Sequence, residues 1–551
     1  MKFGRSSPMG FLSVVSILYT GAYASLSADA GPIVTLNYGS FRGNATGNLV
    51  EFLGMPFAAP PVGNLRFAPP RPPIAFHGVR EATAFGPACF QQFLNLSGTP
   101  LDSSGPGLPV SEDCLFINVV KPANLKAGKK VPVLFWIYGG GFEVGDTSLN
   151  PGDAVVARSI ALGEPVIYVS ANYRVNAFGF LGGKEAKAAG IGNAGLRDQR
   201  FALQWVQDHI ATFGGDPTKV TIWGESAGAI SVGLHMVANN GDPAGLFRGA
   251  VMESGSPNHL DDIIAQQPSF DQLVANTGCT GSPDAIACLR AVPFDKLSAA
   301  VNLSSSLFSF TSLALLWRPT IDGQVIVRDA LESIEKGLYA KVPFITGDCD
   351  DEGTLFSVAT LNITTNAEFL AYIKSNYFPR ISTAQLAALA TAYPDDVTQG
   401  SPFDTGTANA VTPQFKRLAA IQGDLEFQAP RRSFLQTASK TQKTFAFLFK
   451  RGKATPELGA FHSTDIPEFY GTGDAPDFIG TDALVNFANS GNPNLPKNPI
   501  SLLSKVDWPA WTNSANPPLL TFADPAPNVT ITFDTFRADA MDLLTKLSLQ
   551  S

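Results

Sequence analysis

Runs of apolar residues, unbroken by the alternation of a half-exposed strand, recur along this chain between segments of helical spacing. Val131 to Tyr138 is one, ending at Gly139-Gly140-Gly141; Pro165 to Ser170, Val220 to Trp223, Gly249 to Met252, Val342 to Thr346 and Thr444 to Phe449 are others. Between them, Asp198 to Ile210 sets Leu203, Val206 and Ile210 at helical spacing, and Ala227 to Leu234 reads as a buried helix. Apolar strands separated by helices predict a mostly parallel sheet covered on both faces. Ligands of such sheets bind beyond the carboxyl ends of the strands. Asp261 to Pro319 breaks the alternation and reads as a helical insertion or cap. No internal repeat is visible.

The first residues follow another pattern. Lys2 and Arg5 precede the apolar stretch Phe11 to Tyr19, and Ala22-Tyr23-Ala24 supplies small residues for cleavage. Residues 1–24 are therefore expected to be a secretory signal peptide, with a cut after Ala30 as the alternative, and residues 25–551 a single α/β domain. No later stretch reaches the length of a membrane span. A 16% charged and 45% apolar composition suits one large core, and a net charge of -8 argues against nucleic acid. In a secreted chain, five cysteines imply two disulfides and one free thiol. Cys279 and Cys288 are close enough for a local loop, Cys89 and Cys114 bracket a Gly/Pro/Ser-rich segment, and the pairing itself stays open. Asn44, Asn95, Asn302, Asn362 and Asn528 head glycosylation sequons.

Candidate chemistry centres on Gly224-Glu225-Ser226-Ala227-Gly228, between an apolar run and a helical one. Glycines two before and two after a serine suit a sharp strand-to-helix turn that exposes the hydroxyl, since a Cβ at either would collide across the turn. Packing of a helix on a sheet by small residues is the competing explanation. Of the five histidines, His209 and His235 lie in helices, and His77 and His259 are upstream of the serine or too near it. His462 follows the last strong strand and suits the order serine, acid, histidine. Between them lies Asp350-Asp351-Glu352, whose spacing does not say which acid serves, and which reads equally as a solvated loop. Backbone N–H groups of Gly140, Gly141 and Ala227 are candidates for an oxyanion hole. No Lys-Ser/Thr follows the glycine run as a P-loop requires, and no Cys/His cluster suggests zinc. No cofactor and no metal are expected.

These residues carry a resemblance. With Pro60 to Phe67, Ser111 to Leu115, Tyr138 to Phe142, Asn172 to Val175, Gly195 to Gln199, Phe213 to Pro217, Asp351 to Thr354, Thr412 to Arg417 and Phe461 to Ser463, the chain from about Gly39 to Phe536 is similar to the type-B carboxylesterase/lipase family, which includes the cholinesterases. Within it the chain most resembles the fungal lipases of the Candida rugosa type. The resemblance implies an α/β-hydrolase fold, a triad of Ser226, Glu352 and His462, and disulfides Cys89–Cys114 and Cys279–Cys288. It also implies bracing ion pairs, Arg66 with Glu112 and Arg174 with Asp198.

One departure bears on substrate. Where those lipases carry a long lid, Phe90 to Asp113 offers a single apolar cluster, Phe90, Phe93, Leu94 and Leu96, followed by Gly98, Pro100, Gly105, Pro106, Gly107 and Pro109. Such a segment cannot form a long helix. A short disulfide-tethered lid predicts weak interfacial activation; a steep rate jump above the substrate's solubility limit would count against it. Phe356, Leu307, Phe308 and Phe310 are candidates for an acyl pocket, with plain core as the alternative. The expected function is a secreted serine carboxylic-ester hydrolase acting on small-molecule or lipid esters as a monomer or weak homodimer, in transient contact with lipid surfaces. An aromatic-acid (feruloyl-type) esterase and a non-catalytic adhesion module are the alternatives; adhesion relatives typically lack a triad member, whereas all three residues stand here.

Overall fold

The computed structural model describes residues 31–94, 107–126 and 128–550. Strands β1 (Ile33–Leu36), β2 (Gly39–Arg42) and β5 (Val79–Glu81) form a small sheet. Eleven strands build the large one: β3 (Asn44–Thr46), β4 (Leu49–Pro56), β6 (Phe116–Pro122), β7 (Val131–Ile137), β8 (Ile167–Ala171), β9 (Gly215–Glu225), β10 (Gly249–Glu253), β11 (Phe344–Cys349), β12 (Thr444–Phe449), β13 (Pro518–Phe522) and β14 (Val529–Phe533). Their spatial order is β14-β13-β12-β11-β10-β9-β7-β8-β6-β4-β3. From β13 through β8 neighbours run parallel, while β14 at one edge and β6, β4 and β3 at the other are antiparallel. Every residue of β7, β8, β10, β11 and β12 is buried. This explains why they read as unbroken apolar runs: helices cover both faces.

The boundaries differ at the strand ends. Strand β9 begins at Gly215 rather than Val220, because Gly215 pairs with Val131 across an irregularity in register. Strand β11 continues to Cys349, past the expected Thr346, since Gly347 to Cys349 pair with Phe447 to Phe449. Asp216 to Lys219 of β9 are partly exposed, and Asp348 of β11 is buried in a pair with Arg431 at 2.7 Å, so hydropathy alone cuts both strands short. The insertion holds three helices, Gln267–Thr277, Ala285–Ala291 and Phe294–Val301. Disulfides join Cys89 to Cys114 and Cys279 to Cys288, and Cys349 is a buried thiol. Arg66 pairs with a partly buried Glu112 at 2.6 Å, and Arg174 with Asp198 at 2.7 Å in a fully buried pair.

The apolar cluster read at the start of the tether is not one cluster. Phe90 turns inward against Phe178 and Phe294, whereas Phe93 is exposed. Leu96, Gly98, Pro100, Gly105 and Pro106 lie outside the described residues, as do the Asn95 sequon and residues 1–24. Asn44, Asn302, Asn362 and Asn528 are exposed. Among the described residues no helix is long and apolar enough to cross a membrane.

Candidate active site

Ser226 stands between the end of β9 and the helix Ala227–Gly241, at φ 56° and ψ -128°. A side chain other than glycine is rarely found there, and the turn persists only because its surroundings hold it. A Cβ on Gly224 would come within 2.5 Å of Gly228 C, and one on Gly228 within 2.0 Å of the Ile137 carbonyl oxygen. Both glycines are thus required by contact. Ser226 N–H donates to Glu253 O at 2.9 Å, tying the turn to β10.

The glycine run beyond β7 faces this turn. A Cβ on Gly139 would meet Ser226 Cβ at 2.8 Å. Gly140 and Gly141 have φ of 97° and 63°, in the left-handed region that glycine tolerates. Among the described residues neither donates its backbone N–H to a protein acceptor. Ala227 opens its helix, where the first N–H groups lack intrahelical partners.

His462 arrives on a loop zipped to the acid loop. Asp351 and Phe461 form an isolated parallel bridge, Asp351 N–H donates to Ala460 O at 2.9 Å, and Ala460 N–H donates to Asp351 Oδ2 at 2.8 Å. Asp351 also accepts from Phe403 N–H, Ser401 Oγ and Lys453 Nζ, and Asp350 pairs with Lys453 and Lys450. Both aspartates are therefore spent on structure. Glu352 alone turns to the histidine, with Oε2 2.5 Å from His462 Nδ1 and Oε1 accepting from Cys349 N–H at 2.6 Å. Burial pushes the Glu352 carboxyl up to about 8. Phe356 and Phe427 flank the imidazole at ring separations of 5.0 and 4.8 Å.

These groups meet at one cavity of about 440 Å³, lined by Ser226, His462, Gly140 and Gly141 together with Leu94, Leu307, Phe308 and Phe356. Phe310 is half-exposed instead and packs on Tyr372. No hydrogen bond joins Ser226 Oγ to His462 among the described residues. His462 Nε2 lies 3.3 Å from Glu225 Oε1, which also accepts from Ser463 Oγ. Burial pushes Glu225 up to about 7, against the attraction of His462. Sequence reasoning passed over Glu225, although it occupies the variable place just before the serine. Phe427 was missed as well: it belongs to a π-helical turn, Asp424–Gln428, that periodicity does not signal. The other histidines are elsewhere: His77 is exposed, His209 packs on Tyr38 and Trp205, His235 bonds Gln199, and His259 pairs with Asp329. Among the described residues no group of three His, Cys, Asp or Glu side chains is arranged to hold a metal ion.

A buried carboxylate–imidazole pair, a strained serine and unpartnered amides at one apolar cavity can carry out nucleophilic acyl transfer. A family model described as the carboxylesterase family matches residues 30–535. The chain is 43% identical over 512 residues to Lipase 4 of Diutina rugosa, covering 89% of this chain and 91% of that one. It is 39% identical to the secreted triacylglycerol lipase LIP1 of Gibberella zeae, covering 93% of this chain and 89% of the relative. The crystal structure of Aspergillus niger EstA superposes with a TM-score of 0.81 at 27% identity, covering 95% of this chain and 99% of that one.

Proposed function

The chain belongs to the carboxylesterase family, and we propose that its hydrolysis of carboxylic esters runs through an acyl-enzyme on Ser226. The observation that carries this reading is the buried Glu352–His462 pair opening onto the cavity that contains the serine. The Ser226 hydroxyl attacks the ester carbonyl and its proton passes to His462 Nε2, while Glu352 holds the Nδ1 proton and so the tautomer. Negative charge on the carbonyl oxygen is received by the N–H groups of Gly140, Gly141 and Ala227, each worth roughly 2.7–4 kcal/mol in the transition state. The imidazolium protonates the leaving alcohol, and water repeats the sequence to free the acid. Glu225, 3.3 Å from His462 Nε2, attracts that imidazolium when it is ionised.

The acyl group lies along Leu307, Phe308 and Phe356, and the substrates are lipid esters, triacylglycerols among them, together with soluble esters. Relatives that are lipases support this class. Ser226→Ala is expected to abolish turnover of a p-nitrophenyl ester with little change in melting temperature; turnover retained by a folded variant would remove the serine from the mechanism. The protein acts outside the cell after removal of residues 1–24, a reading supported by relatives named as secreted and by the two disulfides. N-terminal sequencing of protein recovered from culture medium should begin at Ser25; an intact Met1 would overturn this.

A further inference from the structure

Behind the glycine loop stands a carboxyl group that the reaction does not use. Glu143 follows Gly141 and Phe142, is 0% exposed, and accepts a hydrogen bond from Leu307 N–H at 2.7 Å through Oε2. Its Oε1 has no hydrogen-bond partner. The backbone of the same residue stitches neighbouring segments together: its N–H donates to Gly140 O at 3.0 Å and its carbonyl accepts from Gln92 N–H at 3.1 Å. Gln92 Nε2 in turn donates to the carbonyls of Ser304 and Ser305 at 3.3 and 3.2 Å.

Leu307 connects this brace to the cavity. A Cβ on Gly141 would lie only 3.1 Å from Leu307 Cδ2, so that side chain rests on the loop, and both residues line the cavity. Glu143 is therefore the link between the backbone of the Leu307 segment and the loop that supplies the expected oxyanion donors. Burial pushes the Glu143 carboxyl up to about 8, against its hydrogen bond from Leu307. Burial therefore disfavours a negative charge on Glu143 behind a developing oxyanion. A buried N–H deprived of its acceptor pulls the chain toward another one. Without Glu143 the 304–308 segment has reason to move and to carry Leu307 away from Gly141.

We propose that Glu143 is a positioning residue that fixes Leu307 against the glycine loop and thereby sets how tightly the site grips the acyl chain. The inference rests on the acyl-enzyme reading above. The test compares kcat/KM for p-nitrophenyl octanoate and p-nitrophenyl acetate in the full-length protein. Glu143→Ala is expected to lower the octanoate-to-acetate ratio about fivefold, through KM for the octanoate. Glu143→Gln, whose amide oxygen can still accept from Leu307 N–H, should restore the ratio. A purely structural brace would depress both esters alike and lower the melting temperature. A folded Glu143→Ala with an unchanged ratio would therefore overturn the proposal. Should that variant not accumulate, Glu143→Met fills a similar volume without an acceptor and is read the same way. Ser226→Ala, measured alongside, separates the two ideas. Turnover there sinks the acyl-enzyme reading, whereas no turnover there with an unchanged ratio in the Glu143 variants sinks this inference alone.

Discussion

Ser226 keeps a left-handed backbone that its own side chain disfavours, and the cost is about 1–3 kcal/mol. Ser226→Gly should therefore be more stable than Ser226→Ala while equally inactive; an equal or lower denaturation midpoint for the glycine variant would contradict the strain. Two neighbouring acids make a sharper contrast. Glu352→Gln keeps the shape but cannot hold the imidazolium, so kcat should fall about 10⁴-fold with stability little changed. Asp351→Asn acts differently. It weakens the carboxylate that receives Ala460 N–H, Phe403 N–H and Lys453 Nζ, so it should lower the melting temperature and reduce activity through a misplaced His462. Thermal melts and single-ester kinetics on both variants distinguish them; matching profiles would mean that the roles are not divided this way.

The elbow functions as a joint between elements. Strand β7, strand β9 and the helix Ala227–Gly241 approach so closely that Gly228 leaves no room for a methyl group against the Ile137 carbonyl. Gly228→Ala should force the helix off the sheet and cost about 3 kcal/mol or more, since backbone cannot yield as a side chain can. A denaturation midpoint within experimental error of wild type would show that the elbow is looser than its contacts imply. The acid and histidine loops form a second joint, zipped by Asp351 rather than by regular strand pairing. Such a contact between loops over a hundred residues apart leaves no periodic trace in the chain.

Across the whole molecule, buried carboxyls govern the response to pH. Burial holds Glu143 and Glu352 at about 8, and Glu225 and Asp465 at about 7, far above the ordinary carboxylate range. The folded state therefore retains protons that the unfolded chain has already released above about pH 4.5. Stability from these groups is complete below that value and is lost as pH climbs toward 8. Against burial, Arg431 and Arg432 hold Asp534 well below the usual range, so its contribution is lost only in strong acid. Activity runs the other way, because Glu352 must be ionised to hold the imidazolium. From about pH 5 to pH 8.5 the melting temperature should fall while kcat/KM on a soluble ester rises. Calorimetry and initial rates over that range check both; a melting temperature that climbs with pH would refute the buried-acid account.

The architecture was legible because each central strand is buried on both faces and must be apolar along its length, whatever its neighbours are. The elbow was legible too, since the positive φ at Ser226 and the contact of Gly224 with Gly228 fall within five residues, although Gly228 itself answers to the distant Ile137 carbonyl. Which of Asp350, Asp351 and Glu352 faces the histidine was not set by their spacing, because three adjacent acids present the same chemistry. The family resemblance implied Glu352, and in the fold the docking of the His462 loop against Asp351 leaves Glu352 facing the imidazole. Glu225, Glu143 and Phe427 likewise acquire their places from partners distant in the chain: His462, Leu307 and His462 again. Local sterics and hydropathy are written into neighbouring residues, whereas the convergence of a site depends on which loops pack together, and that is decided by the closed fold.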